Sequence, residues 1–175
     1  TVEQSAAIAR LYDLANAVAF LASIEELDAL AETAAERRWT ELLDLSVGEV
    51  IALLSVLGDE RVSRHPRLLL LAARAAELRV PLQRTEWIQR GLAVAPPGPL
   101  RRAFQAEAVR DMARNAVTTT VDAGSALLAE LGPEETDARA RTLLAIGVAH
   151  GTRSTPESLA AADRCFTEAS GLFRL

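Results

Sequence analysis

Lysine is absent from this chain: all 19 basic residues are arginine, which reads as a coding bias and not as chemistry. The single cysteine, Cys165, excludes an intramolecular disulfide and any all-cysteine metal cage. Aromatic residues are only 4% of the chain, so its Ala-, Leu- and Val-rich core suits closely packed helices better than a sandwich of aromatic and β-branched strands. No apolar run approaches the roughly 18 residues of a membrane span. No charged-then-apolar leader opens the chain, and its first residue is Thr1, the mark expected of an excised or processed chain with a cytoplasmic location.

What remains is an ordinary globular balance. Half of the 175 residues are hydrophobic and 25% are charged, enough for one domain with its own core and too apolar for a disordered tail. The net charge of −5 repels a phosphate backbone, so direct contact of this segment with nucleic acid is not expected.

Apolar residues recur at three and four positions throughout, and no alternating run of strand length occurs. About nine helices are expected, near 4–22, 24–44, 46–57, 66–79, 82–94, 99–115, 119–131, 134–150 and 156–173. Their punctuation is readable. Ser23 with Glu26, and Ser46 with Glu49, have the capping-box spacing. Pro66 and Pro156 occupy first-turn positions where a missing N–H costs nothing. Gly58, the Ala95–Pro99 cluster, Gly132-Pro133 and Gly151 stop helices.

The helices pair, and the pairs repeat. Ile88, Leu127 and Phe166 are each 39 residues apart, as are Ala123 and Ala162. On the first helix of each pair, Leu69, Phe104 and Leu143 correspond, each followed four residues later by a small residue: Ala73, Ala108 and Gly147. A large residue followed by a small one at plus four lets a partner helix approach closely. A fixed period of this size marks a solenoid, in which each pair buries its apolar face against its neighbours. The tetratricopeptide pattern has this arrangement. The pair at 134–173 fits it best, with Leu143, Ile146, Gly147 and His150 followed by Ala162, Phe166 and Ala169. The expected fold is an all-α right-handed superhelix of antiparallel helix pairs, near 24–57, 66–94, 99–131 and 134–173, within one domain. An ordinary helical bundle with accidental spacing is the alternative.

Two stretches, "ALAETAAERRWTELLDLSVGEVIALLSVLGDERVSRHPRLLLLAARAAEL" and "LGPEETDARARTLLAIGVAHGTRSTPESLAAADRCFTEASGLFRL", carry a resemblance. The chain resembles, over roughly 25–175, the helical-repeat region of the large ATP-dependent LuxR-family regulators known as MalT-like. Its short helix Val50–Leu57 followed by His65-Pro66-Arg67 and Leu68–Leu71 matches the family pattern. The resemblance implies the sensor and scaffold part of such a regulator, which binds an inducer or a protein partner. The family's ATP-binding and DNA-binding modules are not recognisable here: there is no G-x-x-x-x-G-K-[ST] loop and no helix-turn-helix.

Catalysis finds no foothold. H-E-x-x-H, C-x-x-C, G-x-S-x-G and G-x-G-x-x-G are all absent, so neither enzyme activity nor a metal or cofactor is expected. His65 reads as a helix-start residue, His150 as a packing residue and Cys165 as a partly buried small hydrophobe. The candidate binding residues are arginines. Arg67, Arg102 and Arg141 each lie two positions before the large residue of a repeat, and Arg74 lies further along the first. In tetratricopeptide-like superhelices that position faces the concave groove, where a column of planar guanidinium forks would bind carboxylate or phosphate on a peptide or small ligand. The competing reading pairs them with acidic residues of neighbouring helices, such as Glu107 or Asp137. Trp39 and Trp87 are possible binding anchors, more simply read as packing. The unpaired apolar ends of a solenoid segment make a homodimer possible.

Overall fold

The computed structural model describes residues 27–36, 46–76 and 81–173. Among them every regular element is a helix and none is a strand. The helices are α1 (Leu27–Glu36), α2 (Val47–Arg64), α3 (Pro66–Ala75), α4 (Pro81–Val94), α5 (Pro99–Arg114), α6 (Thr120–Glu130), α7 (Thr136–Gly151) and α8 (Pro156–Leu172). That is fewer than the nine expected. The expected first helix, the Ser23–Glu26 cap and Trp39 lie outside the described residues.

Local chemistry sets the boundaries. Ser46 and Glu49 form the expected capping box: the Glu49 N–H donates to Ser46 Oγ at 3.3 Å, and the Ser46 N–H donates to Glu49 Oε2 at 2.6 Å. The helix so started was expected to end before Gly58. The regular helix does break there, at φ 75° and ψ 157°, and a further helical stretch that was not expected follows up to Arg64. Glycine adopts this left-handed φ without a Cβ penalty, so Gly58 breaks the hydrogen-bond ladder yet lets the chain continue. His65 then caps α3 with Pro66 in its first turn, as expected. At α8, Thr155 and Ser158 cap each other reciprocally ahead of Pro156. Helix α7 begins two residues later than expected. Glu135 takes a non-helical backbone (φ −87°, ψ 50°) and turns its carboxylate back onto the Gly132 N–H at 3.0 Å.

Contacts divide the chain into two compact units, Thr1–Arg90 and Gly91–Leu175, the cut falling within α4. In the first unit α1, α2 and α3 pack on one another. Helix α3 buries a continuous apolar run, Leu68 to Leu71 with Ala72 and Ala73. Each buried leucine contributes about 1.5–3 kcal/mol of hydrophobic stabilisation relative to leaving it exposed.

In the second unit α5 packs on α6 and α7 on α8, each pair joined by a short connection. Helix α7 also packs against both helices of the preceding pair, α5 and α6. Its core gathers Ala106, Val109 and Ala113 of α5, Leu127 of α6, and Ala138 and Ala145 of α7. Small residues set the close approaches. A Cβ on Gly124 would lie 2.6 Å from Ile146 Cγ1, one on Gly147 would lie 2.6 Å from Phe166 Cε1, and one on Gly91 would run into the Phe104 ring. The first-helix positions Leu69, Phe104 and Leu143 are buried in all three cases. At the second-helix position Ile88 and Leu127 are buried, but Phe166 is 39% exposed. Among the described helices α8 packs on α7.

Candidate functional site

The three arginines expected to form a column, and Arg74 beside the first of them, fall in both units. Arg67 and Arg74 belong to the first unit, Arg102 and Arg141 to the second. Arg67 donates from Nη1 to the Ala35 carbonyl near the end of α1, at 3.0 Å, a place where a cation satisfies an otherwise unbonded helix carbonyl. Arg74 lies half-buried in the last turn of α3.

The other two are held by carboxylates of their own chain. Arg102 on α5 donates through Nε to both oxygens of Glu135, each at 3.0 Å. The Glu135 side chain is only 7% exposed. Burial alone would raise its pKa, but the Arg102 guanidinium and the Gly132 N–H outweigh it and hold the carboxyl below its usual range. The same bond raises the Arg102 pKa. The α6–α7 connection is thereby tied to α5.

Arg141 bridges two acids, with Nη1 3.2 Å from Glu107 Oε1 and Nε 2.9 Å from Asp137 Oδ1. Both acids were the alternative partners considered from the sequence. Glu107 is completely buried, and Arg110 Nη1 approaches its other oxygen at 3.5 Å. Spacing alone gave no sign that Glu107 would be buried, because a glutamate ordinarily faces water.

A second polar constellation, in the first unit, has no counterpart among the expected binding residues except Trp87. Asp59, the first residue after the Gly58 kink, accepts from Arg90 Nη1 at 3.0 Å on Oδ2 and from the Trp87 indole N–H at 3.4 Å on Oδ1. Arg90 also donates to Ser63 Oγ at 2.9 Å and to Glu86. The Arg90 bond, aided by Trp87, lowers the Asp59 pKa despite some burial. Asp59 and Trp87 border a cavity of about 330 Å³.

Burial raises the Cys165 thiol above its ordinary pKa, with Glu168 adding to the effect and Arg164 opposing it, as suits a packing residue. Among the described residues no group of three His, Cys, Asp or Glu side chains could hold a metal ion, and no helix is long and apolar enough to cross a membrane. No protein-family model, curated protein or solved structure matches the chain.

Proposed function

We propose that this chain is a non-enzymatic sensor and scaffold segment of a MalT-like, LuxR-family transcriptional regulator, built as a tetratricopeptide-like right-handed superhelix. Its role is to take up a protein, a peptide or a small inducer and to pass that event to ATP-binding and DNA-binding modules elsewhere in the regulator. The observation that carries this reading is the placement of α7. It packs on its own partner α8 and on both helices of the preceding pair, as a repeat unit does when it covers the apolar face of the unit before it. The matching large–small contacts, Ile146 on Gly124 and Phe166 on Gly147, support the same arrangement.

The mechanism is a population shift: a ligand that prefers one curvature of the superhelix biases the neighbouring modules by its difference in affinity for the two states. The arginines enter this mechanism on new terms. An acidic ligand at Arg102 or Arg141 has to displace Glu135, or Glu107 and Asp137, from guanidinium groups they already occupy. That gives the ion pairs a switching role open to strongly acidic partners only.

The flanking coding sequence tests the proposal. A phosphate-binding loop upstream and a helix-turn-helix downstream are expected. An open reading frame bearing neither would instead leave a general repeat scaffold that binds a peptide segment.

A further inference from the structure

The cavity in the first unit lies where α2, α3 and α4 meet. Helix α2 reaches it from both sides of the Gly58 break, with Leu54 before it and Val62 after. Ala72, Ala75 and Ala76, at i, i+3 and i+4, set three short side chains on one face of α3 and its C-cap. Trp87 lines the space from α4. The space exists because that face of α3 carries methyl groups where longer side chains would fill it. At about 330 Å³ it is about twice the size of an apolar cavity that holds benzene, and it falls at the small end of ligand pockets.

Among the described lining residues Asp59 is the one charged group, and the protein itself occupies it: the carboxylate accepts from Arg90 at 3.0 Å and from the Trp87 indole N–H at 3.4 Å. Its side chain is 64% exposed, so it stands at the rim and not in the interior. Ser55 and Gln83, also in the lining, are uncharged and exposed. The deeper wall is aliphatic, with Val62, Ala72 and Ala76 all buried. An ion entering such a space loses its water without gaining a partner, whereas an apolar body gains by leaving water.

We propose that this cavity binds a neutral, predominantly apolar small molecule, about one ring with a short chain, whose single polar end meets the Ser55 hydroxyl and the Gln83 amide at the rim. The Asp59–Arg90 pair acts as a closed clasp beside the entrance and recruits no charged group. The role of the site in sensing rests on the regulator reading above, while its ligand class stands on the cavity alone.

Calorimetric titration of the whole chain at neutral pH with 2-phenylethanol, 2-phenylethylamine and phenylacetate tests this, since the three share a ring and chain and differ in charge. The alcohol is expected to saturate the site below about 10 mM, and both ions to bind at least about tenfold more weakly. Ala75→Leu, at a half-buried helical position where leucine is a good helix former, fills the space and should abolish alcohol binding. In case that variant does not fold, the ring protons of the alcohol bound to the unaltered protein should show nuclear Overhauser effects to the Val62 methyl groups. The proposal is overturned if either ion binds within about tenfold of the alcohol, if the alcohol does not saturate below about 10 mM, if folded Ala75→Leu binds it unchanged, or if the Overhauser effects come only from residues outside the cavity. Because these readouts require no other module, failure here is separable from failure of the regulator reading, which the flanking sequence decides.

Discussion

The Arg141 guanidinium lies 3.2 Å from the carboxylate of Glu107, a glutamate with no exposed surface, on the facing helix α5. A buried carboxylate is costly unless cations and hydrogen bonds replace its water. Arg141 and Arg110 supply that replacement, and Arg141 adds a second bond to Asp137 on its own helix. The pair therefore sets the register of α7 on α5 more than it adds net stability.

Removing one partner is expected to be severe. Arg141→Leu takes a cation away from the buried Glu107, and urea unfolding should give a loss of about 3 kcal/mol. Glu107→Leu combined with Arg141→Leu should recover much of it, because no buried charge is then uncompensated. A single-variant loss below about 0.5 kcal/mol would show that Glu107 is solvated.

Glycine 124 carries the close approach of α6 to α7. Gly124→Ala gains up to about 1 kcal/mol in helix propensity but drives a methyl into Ile146, and overpacking of this kind costs about 1–3 kcal/mol, so a net loss is expected. Gly171→Ala, where a Cβ meets nothing within 4 Å, serves as the control and should be neutral or stabilising. Thermal melts of the two variants should move in opposite directions, or the first alone should fall.

Acid should weaken the second unit through Glu135. Its pKa is held below the ordinary value of 4.5 in the folded state, so its contribution is fully present above that ordinary value and is lost as pH falls from it through the lower, folded value. Glu135→Gln is expected to reduce stability at neutral pH and to flatten the fall in melting temperature between neutral and strongly acidic solution. An unchanged slope would mean that the Arg102 contact is absent in solution.

Cys165 should be a slow thiol. Burial and Glu168 raise its pKa, which keeps the thiolate scarce at neutral pH. Its reaction with an aromatic disulfide reagent should lag behind that of a free cysteine and accelerate only in alkaline solution. Rapid reaction at neutral pH would contradict the packing around it.

Much of the helical layout was legible because it depends on local chemistry. The Ser46–Glu49 box and the proline first turns at Pro66 and Pro156 appear where the spacing put them. The break at Gly58 appears where it was expected, but the helical stretch from there to Arg64 was not legible, since glycine at a helix end and glycine within a bent helix have the same local signature. The late start of α7 was hidden for a different reason. Glu135 is drawn out of the helix by Arg102, 33 residues away, and no local pattern contains such a contact. The arginine positions were visible, and the pairing of Arg141 with Glu107 and Asp137 was one of the two readings the sequence offered; the pairing of Arg102 with Glu135 was not, because that proximity arises only once the α6–α7 connection lies beside α5. Phe166 was expected in the core and is 39% exposed, although its ring packs against Gly147. The cavity beside Asp59 was invisible in the sequence, since it forms only where α2, α3 and α4 meet.

A crystal structure of the 175-residue chain tests the stacking of helix pairs most directly. The account predicts that residues 99–131 superpose on 134–173 by one rigid movement, bringing Phe104 onto Leu143 and Leu127 onto Phe166, with α7 flanked by α5, α6 and α8. A closed bundle in which no single movement relates the two pairs would contradict it.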